Sequence, residues 1–158
     1  MNSFIEWLQN TPLAVAVSEV WFPYLESVHV IALAMVFGTI VIVDTRLVGL
    51  TSLNLRFTYL SDRLLPWTWG AFIVAAITGT ALFTSNAQGY MANTEFIVKM
   101  FLLLLAGLNM LYFHKVTLRD VASWDGGRPP QAARVAGYAS LAIWVLVLVM
   151  GRWIGFTV

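Results

Sequence analysis

The sequence predicts an all-α integral membrane protein, a bundle of four up-and-down spanning helices preceded by a short helical segment at the bilayer interface. Composition is the first observation. Of 158 residues, 59% are apolar and only 11% charged, against roughly 25% charged content in soluble domains, and mean hydropathy is +0.79. The second is that four runs reach the length of about 20 apolar residues that a spanning helix needs. The third is that short connections join them, which makes consecutive helices antiparallel neighbours. The runs are apolar on nearly all sides, whereas strands of a membrane barrel alternate apolar and polar residues.

The elements follow in chain order as one domain over residues 1–158. Residues 1–22 are an interfacial lead-in. Ser3 followed by Glu6 fits a capping box, and Thr11-Pro12 fits an N-cap with proline at the first helical position. Two short helical pieces are expected, ending at Trp21-Phe22-Pro23. Phe4, Trp7 and Leu8 face lipid or pack over the end of the bundle. MNSFIEWLQN lacks the basic start of a secretory signal, so the lead-in reads as mature protein. The spans are expected at residues 24–50, 65–84, 94–116 and 132–156. Between them lie TSLNLRFTYLSD, SNAQGYMAN and TLRDVASWDGGRPPQ, the last punctuated by Gly-Gly and Pro-Pro.

Seven of the nine basic residues (Arg46, Arg56, Arg63, Lys115, Arg119, Arg128 and Arg134) fall at one end of the bundle, and Lys99 and Arg152 at the other. The excess marks the cytoplasmic side, so both termini are expected on the outer side of the membrane. Trp21, Trp67, Trp69, Tyr90, Tyr112, Tyr138 and Trp153 form an aromatic belt near helix ends. Small residues four apart, as in Ala34/Gly38, Ala71/Ala75/Gly79, Ala136/Ser140 and Gly151/Gly155, let helices approach closely within one chain or between copies of a homo-oligomer.

Composition also excludes functions. A net charge of +1 gives no basic field for nucleic acid, and the lack of cysteine removes disulfides, iron-sulfur clusters and thiolate metal sites. Any metal here uses His, Met, Asp or Glu.

Ionisable residues within spanning helices are energetically expensive and mark candidate sites. A rise of about 1.5 Å per residue sorts them into two layers. The outer layer holds Glu26 and His29, three residues apart on one helix face, with Lys99 and Arg152 facing them. Such a pair is half a metal site, a proton relay, or a carboxylate that orients an imidazole; alternatively Glu26 simply pairs with Lys99 or Arg152. The inner layer holds Asp44, Arg46, His114 and Lys115, with Arg63 and Arg134 nearby. Asp44 needs a partner there, expected to be Arg46, Arg63 or Arg134. Asn109 lies between the layers and is expected to bridge two helices. His29 and His114 are the only histidines. They invite a bis-histidine haem b, but their registers differ by about 20 Å along the membrane normal, too far for one iron. Haem binding then requires the third span to be shifted by several residues, each histidine to serve its own haem, or copies of the chain to share one. Methionines, including Met100 and Met110, are alternative second ligands.

The pattern P-x-x-E-x-x-H, D-x-R-x-x-G, L-P-W, T-G-x-x-L-F, F-x-x-K and N-x-x-x-x-H runs through about residues 23 to 154. It resembles an uncharacterised family of small four-helix bacterial inner-membrane proteins. That family is in turn similar to copper-resistance D proteins and cytochrome b561-like bundles, in which helix histidines hold haem or metal. The resemblance singles out Glu26, His29, Asp44, Arg46, Lys99, Asn109, His114 and Arg152 as cofactor-binding positions, with His29, His114 and Glu26 as metal ligands. It implies haem b, or else copper or another metal ion, and with it electron transfer to a redox partner or haem handling. Two other expectations stand beside it. One is a proton or solute pathway gated by Glu26-His29 and Asp44-Arg46; the other is a structural accessory subunit. No nucleophile, base and orienter come together in the sequence, so it does not assign an enzymatic reaction.

Overall fold

A computed structural model describes residues 2–158, with side chains from Phe4 onward. Ser3, the expected capping-box residue, lies outside the described side chains. The chain is all-α, in the order α1 (Asn2–Gln9), α2 (Pro12–Ala16), α3 (Phe22–Val48), α4 (Phe57–Ser85), α5 (Ala87–Ala92), α6 (Thr94–Tyr112) and α7 (Gln131–Thr157). Four helical runs are long and apolar enough to cross a membrane: Pro12–Val48, Phe57–Ser85, Thr94–Ser123 and Gln131–Thr157.

The lead-in starts as the sequence predicts and ends differently. Thr11 Oγ1 accepts from the Ala14 amide at 3.3 Å, and Pro12 is the first residue of α2. The second piece does not stop at Pro23. A π-helical turn over Val17–Trp21 joins it to α3, and this wider turn accommodates a proline that donates no hydrogen bond and crowds the carbonyl four residues back. α1 lies on α5: Gln88 donates to Gln9 Oε1 through its amide and to Glu6 Oε1 through its side chain, both at 3.3 Å. The opposite side of α1 leaves Phe4 and Trp7 exposed.

Two boundaries are corrected. α4 begins at Phe57, eight residues before the expected 65, and carries Pro66 inside it. Its first turn is capped from another loop, as described below. The connection TLRDVASWDGGRPPQ is largely helical, because α6 continues through a π-helical turn (Phe113–Thr117) and a 3-10 turn (Leu118–Ser123).

α3 packs on both α4 and α7, and α7 packs on α6, whereas α4 and α6 make little close approach. Backbone approaches therefore run α4–α3–α7–α6, and α4 meets α6 through side chains, Phe83 stacking on Phe96 at 5.5 Å. Small residues set the closed contacts. A Cβ at Gly137 of α7 would meet Leu47 Cβ and Val48 Cγ2 at 3.1 Å and the Asp44 carbonyl at 3.2 Å, so only glycine allows α3 and α7 to lie this close. Ala71 and Ala75 are buried in the bundle on α4, and Gly79, a turn further on, receives the His29 ring. Ala34 and Gly38 instead face outward. The core forms two clusters, Leu47, Phe57, Phe113, Trp124, Ala133 and Ala136 at one end, and Val36, Ala71, Leu102, Trp144 and Val147 further along.

Candidate functional site

The last turn of α3, DTRLVG, divides its work among three residues. Gly49 ends the helix with φ of +87°, a left-handed conformation that suits glycine, and its amide donates to Arg46 O at 3.2 Å. Arg46 is fully buried. Its Nε donates to Leu55 O at 3.0 Å, and Nη2 donates to Asp125 O and Gly127 O at 3.0 and 3.1 Å. One guanidinium thus gathers the α3–α4 and α6–α7 loops, a task suited to its fixed fork of donors.

Asp125 completes this closure by capping α4. Its carboxylate accepts from the Thr58 amide at 2.8 Å and the Thr58 hydroxyl at 2.7 Å, while its carbonyl accepts from the Phe57 amide at 3.0 Å. Partial desolvation pushes this acid up. The two Thr58 bonds, with Arg56 and Arg46 nearby, outweigh it and hold the carboxyl below its ordinary value.

Asp44 points the other way. Residues two apart on a helix are about 200° apart around its axis, so Asp44 and Arg46 cannot share a partner face. The expected Asp44–arginine pair does not form: Arg46 is held by carbonyls, and among the described residues Asp44 Oδ2 has no hydrogen-bond partner. Asp44 is only 6% exposed. Ser140 of α7 stands beside its carboxylate. Both line a cavity of about 220 Å³ walled by α3, α4, α6 and α7. Leu47, Phe57, Phe113 and Ala136 close one end, and Val36, Phe72, Leu103 and Trp144 the other, so the void lies between the two core clusters. Its few other polar groups are Ser61, Thr68, Asn109 and His114. Asn109 forms the expected bridge, its Nδ2 donating to Ala136 O at 3.0 Å, and Thr68 donates to Thr39 Oγ1 at 2.8 Å.

The two histidines are built alike at opposite ends. His29 Nδ1 lies 3.0 Å from Thr78 Oγ1. That hydroxyl already donates to Val74 O at 2.8 Å, so it accepts the Nδ1 proton. His114 Nδ1 donates to Met110 O at 2.9 Å, since a carbonyl only accepts. Each ring is therefore fixed through Nδ1 and keeps Nε2 as its basic nitrogen. His29 sits against α4 beneath Gly79, and His114 lies in the π-helical turn at the cavity rim. The structure does not bring His29, His114 and Glu26 together. Among the described residues, no three His, Asp or Glu side chains form a metal-holding group.

The outer layer is looser than expected. Lys99 Nζ lies 5.3 Å from the centre of the Phe96 ring, and the Arg152 guanidinium lies 4.4 Å from that of Phe156. These cation–π contacts stand where an ion pair to the exposed Glu26 was expected. Tyr90 on α5 packs at a tilt against Phe83 and Phe96. Burial, then the Glu26 charge, pushes its hydroxyl above the ordinary phenol value.

Sequence reasoning misses the cavity walls Trp69, Phe72 and Trp144, because an aromatic in an apolar helix carries no mark of which neighbour it faces. It also misses Asp125, whose partner lies 67 positions away. Ser140 was visible only as a small residue four after Ala136. The chain matches no curated protein and no solved structure. A family model matches residues 4–157, nearly the whole length, and the chain thereby belongs to a family of unknown function, DUF6644.

Proposed function

We propose that this is a multi-pass protein of the bacterial inner membrane, with periplasmic termini, that binds a bilayer-soluble small molecule or cofactor in the cavity between α3, α4, α6 and α7. One observation carries the reading: a buried carboxylate oxygen without a partner among the described residues, on the wall of a mostly apolar void. A polar group held dry and unpaired is destabilising by about 1–3 kcal/mol unless something bonds to it, and such strain marks functional sites. Organic extracts of protein purified in mild detergent, compared by mass spectrometry, test it. Gly107 lines the cavity and has open space around its Cβ direction, so Gly107→Leu fills the void. The expected result is a compound enriched from the wild type and at least tenfold depleted from the variant. Equal recovery from both overturns the reading.

A second reading is haem b with His114 as axial ligand, supporting electron transfer or haem handling. The observation favouring it is the ring itself, fixed by Met110 O through Nδ1 with Nε2 basic, as axial and metal-bound imidazoles are held. Haem supplies one-electron chemistry when bound. The chain's share is to hold and orient the imidazole in the turn after α6. A Soret band that forms on haem addition and is lost in His114→Ala supports this reading, and a featureless spectrum with haem present removes it.

A further inference from the structure

We infer that the cavity takes a lipophilic organic cation, an ammonium-type headgroup on an alkyl or aryl body, with Asp44 as its counter-ion. The inference rests on the ligand-binding reading above and names the ligand class. Asp44 is the only acidic group on the cavity wall, and its buried Oδ2 has no partner among the described residues. The nearest arginine in sequence cannot neutralise it, because Arg46 is turned away into three carbonyls. A bare metal ion is a poor substitute. Beside the carboxylate stands one hydroxyl, Ser140, and among the described residues no second carboxylate or histidine joins it in a metal-holding group, so the roughly six to eight oxygens that a hard cation takes are not gathered there.

The walls suit an organic cation. Trp69, Phe72 and Trp144 stand in its wall, and aromatic rings attract quaternary or protonated amines most strongly where water is excluded. The volume of about 220 Å³ lies below the roughly 300–1,000 Å³ of drug-sized sites. It therefore accommodates a headgroup and the first part of its body, with the remainder trailing outward. The route proposed for it runs between α4 and α6, whose backbones approach less closely than those of the other neighbouring helices and which meet through side chains, so the ligand partitions into the bilayer and reaches Asp44 laterally.

Protein in lipid nanodiscs, titrated with tetradecyltrimethylammonium below its micellar concentration and followed by tryptophan fluorescence, tests the inference. Tetradecanol serves as the neutral probe with the same tail. The expected result is saturable binding of the cation, weakened at least tenfold in Asp44→Asn and lost in Gly107→Leu, with no saturable binding of tetradecanol. Asp44→Asn keeps size and shape, and Asp44→Glu, which retains the charge, is expected to keep measurable cation binding should the amide variant fold poorly. Cation and alcohol binding equally, both unaffected by Asp44→Asn but lost in Gly107→Leu, overturns the cation while leaving the cavity as a site. Cation binding that survives Gly107→Leu unchanged overturns both.

Discussion

At the scale of single residues, the α3 terminus shows how three neighbours are assigned separate tasks. Gly49 turns the chain, Arg46 binds the loops, and Asp44 faces the cavity. D-x-R-x-x-G is legible as a motif, but Arg46 was a wrong candidate for the partner of Asp44, since positions two apart on a helix do not face each other. What the sequence cannot show is that Arg46 finds carbonyls 79 and 81 positions away. Asp125 is equally silent, an acid in a Gly-Gly loop whose role exists only once α4 begins beside it. It makes a testable contribution. Because its carboxyl is held below the ordinary value of 3.8 in the folded protein, the unfolded chain binds its proton first as pH falls. The stabilisation is complete above about pH 4 and is lost as pH drops through the lower folded value. Asp125→Asn keeps an oxygen for the Thr58 amide but removes the charge and the acceptor of the Thr58 hydroxyl; it is expected to lower stability by about 1 kcal/mol at neutral pH, and to lose less than the wild type on going to pH 3. Thermal unfolding in detergent at the two pH values measures this, and an equal acid loss in both proteins contradicts the cap.

At the scale of elements, four spans were readable from length and hydropathy alone, because a bilayer demands both. Their ends were not. The first eight residues of α4, FTYLSDRL, are too polar to register as membrane helix, and they are helical because Asp125 caps them from outside. Small-residue patterns were right where they met a bulky partner. Gly79 makes the sharpest case. A Cβ there would lie 2.9 Å from His29 Cε1 and 3.4 Å from Nδ1, on a ring that Thr78 holds in place. Gly79→Ala is therefore expected to displace the imidazole and destabilise the protein by about 1–3 kcal/mol, the range for overpacked cores. Gly38→Ala adds a methyl group into open space, and the same melting experiment should show a change of no more than about 0.5 kcal/mol. Similar losses in both variants remove the α3–α4 contact as the cause.

At the scale of the whole molecule, the two polar layers expected from depth are both present but unequal. The inner one is a built structure in which the Arg46 and Asp125 bonds seal the loops below a cavity. The outer one is a set of separate contacts at Thr78, Phe96 and Phe156. Depth along a helix is legible from residue numbers, but which helices approach most closely is not, so the order α4–α3–α7–α6 of the close backbone approaches could not be foreseen. The basic residues give this asymmetry a direction. Seven of nine lie at the end that carries the Arg46 closure, the end that the proposed orientation sets in the cytoplasm. On that proposal the cavity lies towards the cytoplasmic side, and α1 and the end of α7 face the periplasm. The chain contains no cysteine, so single replacements report without background. Asn10 and Ser123 are both exposed, at opposite ends of the bundle. In intact spheroplasts a membrane-impermeant maleimide is expected to label Asn10→Cys, and to label Ser123→Cys only after the membrane is permeabilised. The reverse pattern would invert the protein and place the Arg46 closure, with the end of the bundle nearest Asp44, on the periplasmic side.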